Sequence, residues 1–347
     1  MKLDKRIMIL SATVVCLAVL VLAQRKVLSV TDVASRPLGH PLWEKPLALE
    51  KAAKVILEGG GKSCRLHKGA GHWQVRDRYD YCADFERLTK LLRKIGRLKV
   101  GYAFAADKTI LARLRLEGPP ETQTAKGVRV IVSDAEGREI ADLVIGRQRQ
   151  AAAGSGGQFV RKTGENTVCL VDETFHLLNP GPEYWIQDDL ISVEPKHIRQ
   201  IESYTAGGNL VYRVRRPAPS GPAVLEDAPE GRKVSRARVD QLFDALNPLK
   251  VADILGPAPA DAAKAPHLVF RLDDGTVYTV FLLSGKHDGP YRLLLRVTPA
   301  GRPATGTASS VIGGCAALAD PGLWLYGVEK WQFESFFTTA EQLLETK

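Results

Sequence analysis

The chain has 347 residues, too many for one ordinary hydrophobic core, so two domains are the first expectation. With 45% hydrophobic and 25% charged residues its composition is that of a globular protein, which excludes a disordered chain and a polytopic membrane protein. Of the formal charge of +9, the first 26 residues carry +4, and the remainder lacks the clustered basic stripe that nucleic-acid binding needs.

Residues 7–23, IMILSATVVCLAVLVLA, are uncharged and lie between the pairs Lys5-Arg6 and Arg25-Lys26. Seventeen apolar residues are at the short end of what spans a bilayer. The segment reads as an uncleaved signal-anchor within residues 1–26, with a cytoplasmic N-terminus and an exported C-terminal body. Cleavage after Val21-Leu22-Ala23 is the alternative. Cys16 lies inside the span, leaving Cys64, Cys82, Cys169 and Cys315 in the exported part. An oxidising compartment permits disulfides, and Cys64 with Cys82 is the most local candidate pair. Burial as small hydrophobic residues is the other reading of these cysteines. No C-x-x-C spacing exists, so a structural zinc site is not expected.

Residues 27–54, with Pro37, Pro41 and Pro46, read as a tether. Three short strands then follow, around Val55-Ile56-Leu57, from Ser63 to Lys68 and at Trp73-Gln74-Val75, with glycine turns between them. Asp84 is a good N-cap for a helix whose apolar stripe is Leu88, Leu91, Leu92, Ile95 and Leu98, and Gly96 marks its end. Gly118-Pro119-Pro120 breaks the chain after a short segment at 111–116. Two hairpins come next, 128–132 with 140–145 and 159–161 with 168–171, separated by a small-residue loop at 150–157. Tyr184-Trp185-Ile186 forms a short helical or turn element closing the first half.

A gapless offset of 151 lays residues 73–100 over 224–251. Asp84 then meets Ser235, and the helical stripe meets Val239, Leu242, Phe243, Leu246 and Leu249. Later elements keep the same order as far as 323–328, which echoes 168–171, and residues 333–344 add a helical tail. The expected fold class is therefore α+β: two tandem related repeats, residues 55–192 and 193–347, each an antiparallel sheet with one main amphipathic helix, behind an N-terminal transmembrane helix. Residues 216–231, although rich in proline, fall inside the second repeat as an edge strand between two loops.

The chemistry-bearing motifs are weak. Glu58-Gly59-Gly60-Gly61-Lys62-Ser63 lacks the first glycine of a phosphate loop and runs into a strand, so it reads as a turn. The serine of Ala153-Gly154-Ser155-Gly156-Gly157 sits in a loop between strands, unlike a nucleophile elbow. His67 and His72 flank one turn without a third ligand, and both Asp188-Asp189 and His287-Asp288 read as solvated turns. No catalytic residue, metal ligand or cofactor is assigned. The last helix is unusually aromatic, and Trp331, Phe333, Phe336 and Phe337 are either core or a partner-docking patch.

Taken together, Trp73-Gln74-Val75, the Asp84 helix ending in Leu98-Lys99-Val100, Asp134-Ala135-Glu136-Gly137 before Ile145-Gly146, Phe159-Val160-Arg161, residues 168–172 and Tyr184-Trp185-Ile186 before Asp189-Leu190 resemble a bacterial family known as domain of unknown function 4340. Leu116-Glu117-Gly118-Pro119-Pro120 departs from the family's Gly-Leu-Asp-x-Pro-like pattern. The resemblance implies a single-pass protein of the bacterial inner membrane with its body in the periplasm. It also implies a non-enzymatic accessory or scaffold role beside the permease and ATPase subunits of an ABC-type transporter similar to the gliding-motility auxiliary system. A glycan- or lipid-binding module using a groove between the repeats is the alternative.

Overall fold

The computed structural model describes residues 39–69, 71–117, 127–149, 156–176, 178–218, 221–226, 228, 232–283, 291–300 and 324–345. The predicted anchor at 7–23, Cys16, the break at 118–120, most of the loop at 150–157, His287-Asp288 and Cys315 lie outside them. Among the described residues no helix is long and apolar enough to cross a membrane.

In chain order the first half holds β1 (His40–Pro41), β2 (Lys54–Gly59), β3 (Lys62–Lys68), β4 (Trp73–Val75), β5 (Tyr81–Cys82), α1 (Phe85–Gly96), β6 (Lys99–Ala105), α2 (Lys108–Leu114), β7 (Val128–Ser133), β8 (Glu139–Gln148), β9 (Gln158–Lys162), β10 (Thr167–Val171) and β11 (Asp189–Ile191). The second half holds β12 (Ile198–Tyr204), β13 (Leu210–Arg215), β14 (Val224–Leu225), α3 (Arg236–Asp244), β15 (Leu249–Lys250), β16 (Asp253–Pro257), β17 (His267–Leu272), β18 (Val277–Leu283), β19 (Tyr291–Thr298), β20 (Trp324–Val328) and α4 (Lys330–Phe336).

These strands make a ten-stranded sheet, β1-β6-β10-β9-β8-β7-β2-β3-β4-β5, and an eight-stranded sheet, β14-β13-β12-β17-β18-β19-β20-β16. The short β11–β15 pair joins the two halves. Pairing is antiparallel throughout, as between Leu57 and Cys64 or Val130 and Leu143.

The expected fold class is corrected here. Large antiparallel sheets dominate, and the described helices are short, with two accompanying each sheet, so the plan of one main amphipathic helix per repeat does not describe the body of the molecule. The physical reason lies in strands covered on both faces. Residues 141–145 of β8 are all buried, and α2 lies on the outer face, where Leu111 and Leu116 pack with Val144 and Val168. A strand buried on both sides loses its alternating pattern, and a seven-residue helix is too short to show a clear period. The close packing needs Gly146, where a Cβ would lie 2.3 Å from the Leu114 carbonyl oxygen.

Several local predictions are met. Gly60 and Gly61 have φ of 58° and 75°, the paired left-handed conformation of a two-residue hairpin turn, and a strand follows them. Asp84 caps α1, its Oδ1 accepting from the Arg87 backbone N–H at 2.8 Å. Leu88, Leu91 and Ile95 are buried, each such side chain contributing roughly 1.5–3 kcal/mol against exposure. Ser235 occupies the equivalent position before α3, but its side chain makes no capping bond. One contiguous apolar core runs from Leu42 to Leu344 through both sheets.

Candidate functional site

The two halves meet at the turn between β4 and β5. Tyr79 and Asp80 both adopt left-handed backbone conformations, φ 58° and 57°, which non-glycine residues adopt at a cost. The turn sends Arg78 across the junction, where its guanidinium chelates the Asp253 carboxylate, Nη2 to Oδ2 at 3.1 Å, and reaches Glu183 at 3.4 Å. Lys62 pairs with the other oxygen of Glu183 at 3.0 Å. The Tyr79 hydroxyl donates to the Leu255 carbonyl at 3.3 Å, and its ring lies over Gly256, whose φ is +146°. Behind it, Tyr81 packs edge-on against Trp324 and Tyr326, centroids 6.1 and 6.4 Å apart. Asp188 and Asp189, expected as solvated turn residues, instead bind the halves together: Lys250 lies 2.8 Å from Asp189, and the Val251 N–H donates to the Asp188 carbonyl. Among the described residues, ion pairs, hydrogen bonds and ring contacts therefore join the two halves at this junction.

Glu183 and Asp77 are held ionised. Burial pushes Glu183 up, but a backbone hydrogen bond, Lys62 and Arg78 outweigh it and leave the group below the usual carboxylate range. Asp77 behaves likewise, burial being overcome by hydrogen bonds from the Arg65 side chain and backbone. On the outer face of the second sheet, Glu202 is 2% exposed and accepts from Arg213 at 2.8 Å and Arg271 at 3.1 Å. Those bonds outweigh burial and hold it low.

A recess of about 220 Å³ opens beside α1, within the first half. Arg87, Lys90, Leu91 and Lys94 recur at helical spacing and form one wall. Phe175, Leu178, Tyr184 and Trp185 form the floor, with Thr174 and His176 at the edge. The Arg87 guanidinium sits 4.5 Å above the Tyr184 ring and donates to the Tyr184 carbonyl. Lys94 donates to the Thr174 carbonyl at 2.8 Å and lies 5.8 Å from the Phe175 ring centroid. Trp185 is fixed by its indole N–H to the Asn179 carbonyl at 2.7 Å. Phe175 is fixed by its backbone N–H to the buried Gln158 side chain, also at 2.7 Å.

The predicted site residues separate. Cys64 is a buried free thiol, pushed up to about 12 chiefly by burial, while Cys82 is disulfide-bonded. The expected Cys64–Cys82 bridge is therefore not formed. β4 lies between their strands, and the register sets the two residues about 14 Å apart by strand spacing and rise, beyond the roughly 4.4–6.8 Å a disulfide spans. Of the four C-terminal aromatics, Phe333 and Phe336 are core residues, whereas Trp331 is 65% and Phe337 56% exposed. His67 faces Asp80 at 3.7 Å, and no cluster of three metal-ligating side chains occurs among the described residues.

Neither the junction nor the recess was read from the sequence. Arg78 and Asp253 are 175 residues apart, and no local pattern announces their pairing. The basic residues of α1 were visible, but their aromatic floor comes from a distant loop. No curated protein and no solved structure matches the chain. A family model does match residues 73–268, from β4 into β17 and including the Arg78 turn, α1 and the recess. Since that match covers more than half of the 347 residues, the chain belongs to the family described as domain of unknown function (DUF4340).

Proposed function

We propose that the protein is a non-enzymatic accessory or scaffold subunit of the bacterial cell envelope, tethered to the inner membrane by residues 7–23 and serving an ABC-type transport complex. The observation that carries this reading is the rigidly mounted aromatic pair at α4. Phe333 and Phe336 anchor the helix in the core, Phe336 packing edge-on against Phe270, while Trp331 and Phe337 face solvent. Large aromatics held in place by a packed scaffold dominate protein–protein binding energy. The disulfide at Cys82 supports an oxidising compartment, hence an exported body. The ion-paired junction supports a body that works as one piece.

Affinity capture of the full chain from solubilised membranes tests the proposal. The expected result is co-purification of a permease or ATPase subunit with the wild type, and its loss with Trp331→Ser/Phe337→Ser. Recovery of soluble proteins alone, or identical recovery with the double variant, would contradict the reading.

A further inference from the structure

The recess beside α1 has a chemistry that the scaffold reading does not use. Its cationic wall, Arg87, Lys90 and Lys94, carries hydrogen-bond donors and no acceptors, so the group it recognises must accept, and an anion accepts best. Thr174 and His176 at the edge bond to one another at 2.8 Å, and Tyr184 adds a phenolic hydroxyl. Apart from the Tyr184 hydroxyl, the floor of Phe175, Leu178, Tyr184 and Trp185 is apolar, which suits an apolar remainder of the ligand. The cavity, about 220 Å³, is smaller than the roughly 300–1,000 Å³ of drug-sized sites, which suits a head group and the first part of a chain.

We propose that this recess binds a single-chain anionic amphiphile, with its acidic head between Lys90 and Lys94 and its tail on the aromatic floor. Each cation already has a carboxylate neighbour, Asp84 for Arg87, Glu86 for Lys90 and Glu173 for Lys94, and these leave the rim neutral overall. The two lysine pairs are exposed, 67% and 78% for Lys90 and Glu86 and 42% and 39% for Lys94 and Glu173, and exposed pairs exchange partners at little cost. An anion entering the apolar recess meets the same cations in a lower dielectric, where the attraction is stronger. Arg87 stays committed to Tyr184 and Asp84 and supports the floor; Lys90 is held by its exposed pair with Glu86, and Lys94, bonded to the Thr174 carbonyl and paired with Glu173, keeps a third ammonium hydrogen for the ligand.

The free acid and the acidic head of a membrane lipid share this chemistry, and the test separates them. The full chain is labelled with a diazirine derivative of decanoic acid, with the uncharged decanamide derivative, and with a single-chain diazirine lysophosphatidylglycerol in nanodiscs. Adducts are then located by peptide mass spectrometry. Labelling of α1 and residues 174–185 by the acid, competed by decanoate and reduced about tenfold in Lys90→Gln/Lys94→Gln, supports the proposal with a free acid as ligand. The same pattern from lysophosphatidylglycerol alone supports it with a lipid head group as ligand. Equal labelling by the amide, labelling unchanged in the double variant, or adducts scattered along the chain would overturn it. Both lysines are exposed, so the variant folds, and the outcome is independent of whether a transporter subunit is captured.

Discussion

Arg78 and Asp253 offer the sharpest test of the junction. Their side chains are 22% and 28% exposed, so the pair is more than two-thirds withdrawn from water, and it is bidentate. Fully exposed pairs contribute at most about 1 kcal/mol, whereas removing one partner of a buried pair costs about 3–5 kcal/mol. At intermediate burial Arg78→Ala and Asp253→Ala are each expected to cost about 2 kcal/mol, with a coupling near 1–2 kcal/mol in the double-mutant cycle. For a body of this size each kcal/mol moves Tm by about 2 °C, so each single variant should melt about 4 °C lower. Urea unfolding followed by tryptophan fluorescence and by far-UV circular dichroism supplies the cycle. Coincident transitions in the wild type, with both single variants shifting the whole curve, are the expected result. Additive single variants, or two separate transitions of which only one responds, would refute the view that this ion pair joins the halves into one cooperative body.

Three further outcomes follow from the same contacts. Glu202 has a folded pKa below its unfolded value of about 4.3, so the stability it contributes is present above that pH and is lost as pH falls through the folded value. Melting temperature should therefore decline steeply below about pH 4, and Glu202→Gln should flatten that decline while lowering Tm at neutral pH. Asp84→Ala removes the α1 cap and the ion pair to Arg87, and should cost about 1 kcal/mol by urea titration, whereas Ser235→Ala, with no capping bond to lose, should cost less. Cys64 should stay silent to thiol reagents in the native protein, because burial keeps its thiol protonated at neutral pH, and should react fully on unfolding.

What the sequence disclosed follows the range of the interactions involved. The α1 stripe, the Asp84 cap and the Gly60-Gly61 turn depend on residues within a few positions of one another, and all three are present as expected. α2 escaped because it is short and packs on strands already buried on their other face, where periodicity is lost. The disulfide expectation chose nearness in sequence, but antiparallel order interposes β4 and only the folded register reveals the separation. Trp331 and Phe337 could not be told from Phe333 and Phe336 by composition, since one short aromatic helix supplies both the core and the exposed positions. The Arg78 turn had no local signature, because its left-handed residues are tyrosine and aspartate rather than glycine.

The proposed role rests on what touches α4. A photoreactive amino acid placed at position 331, and separately at 337, in the full chain within intact cells, followed by identification of the adducts, tests it most directly. Cross-links to a transporter permease or ATPase subunit are expected from these positions and none from exposed Glu86 on the first half. Absence of such adducts, with equal yields from position 86, would contradict it.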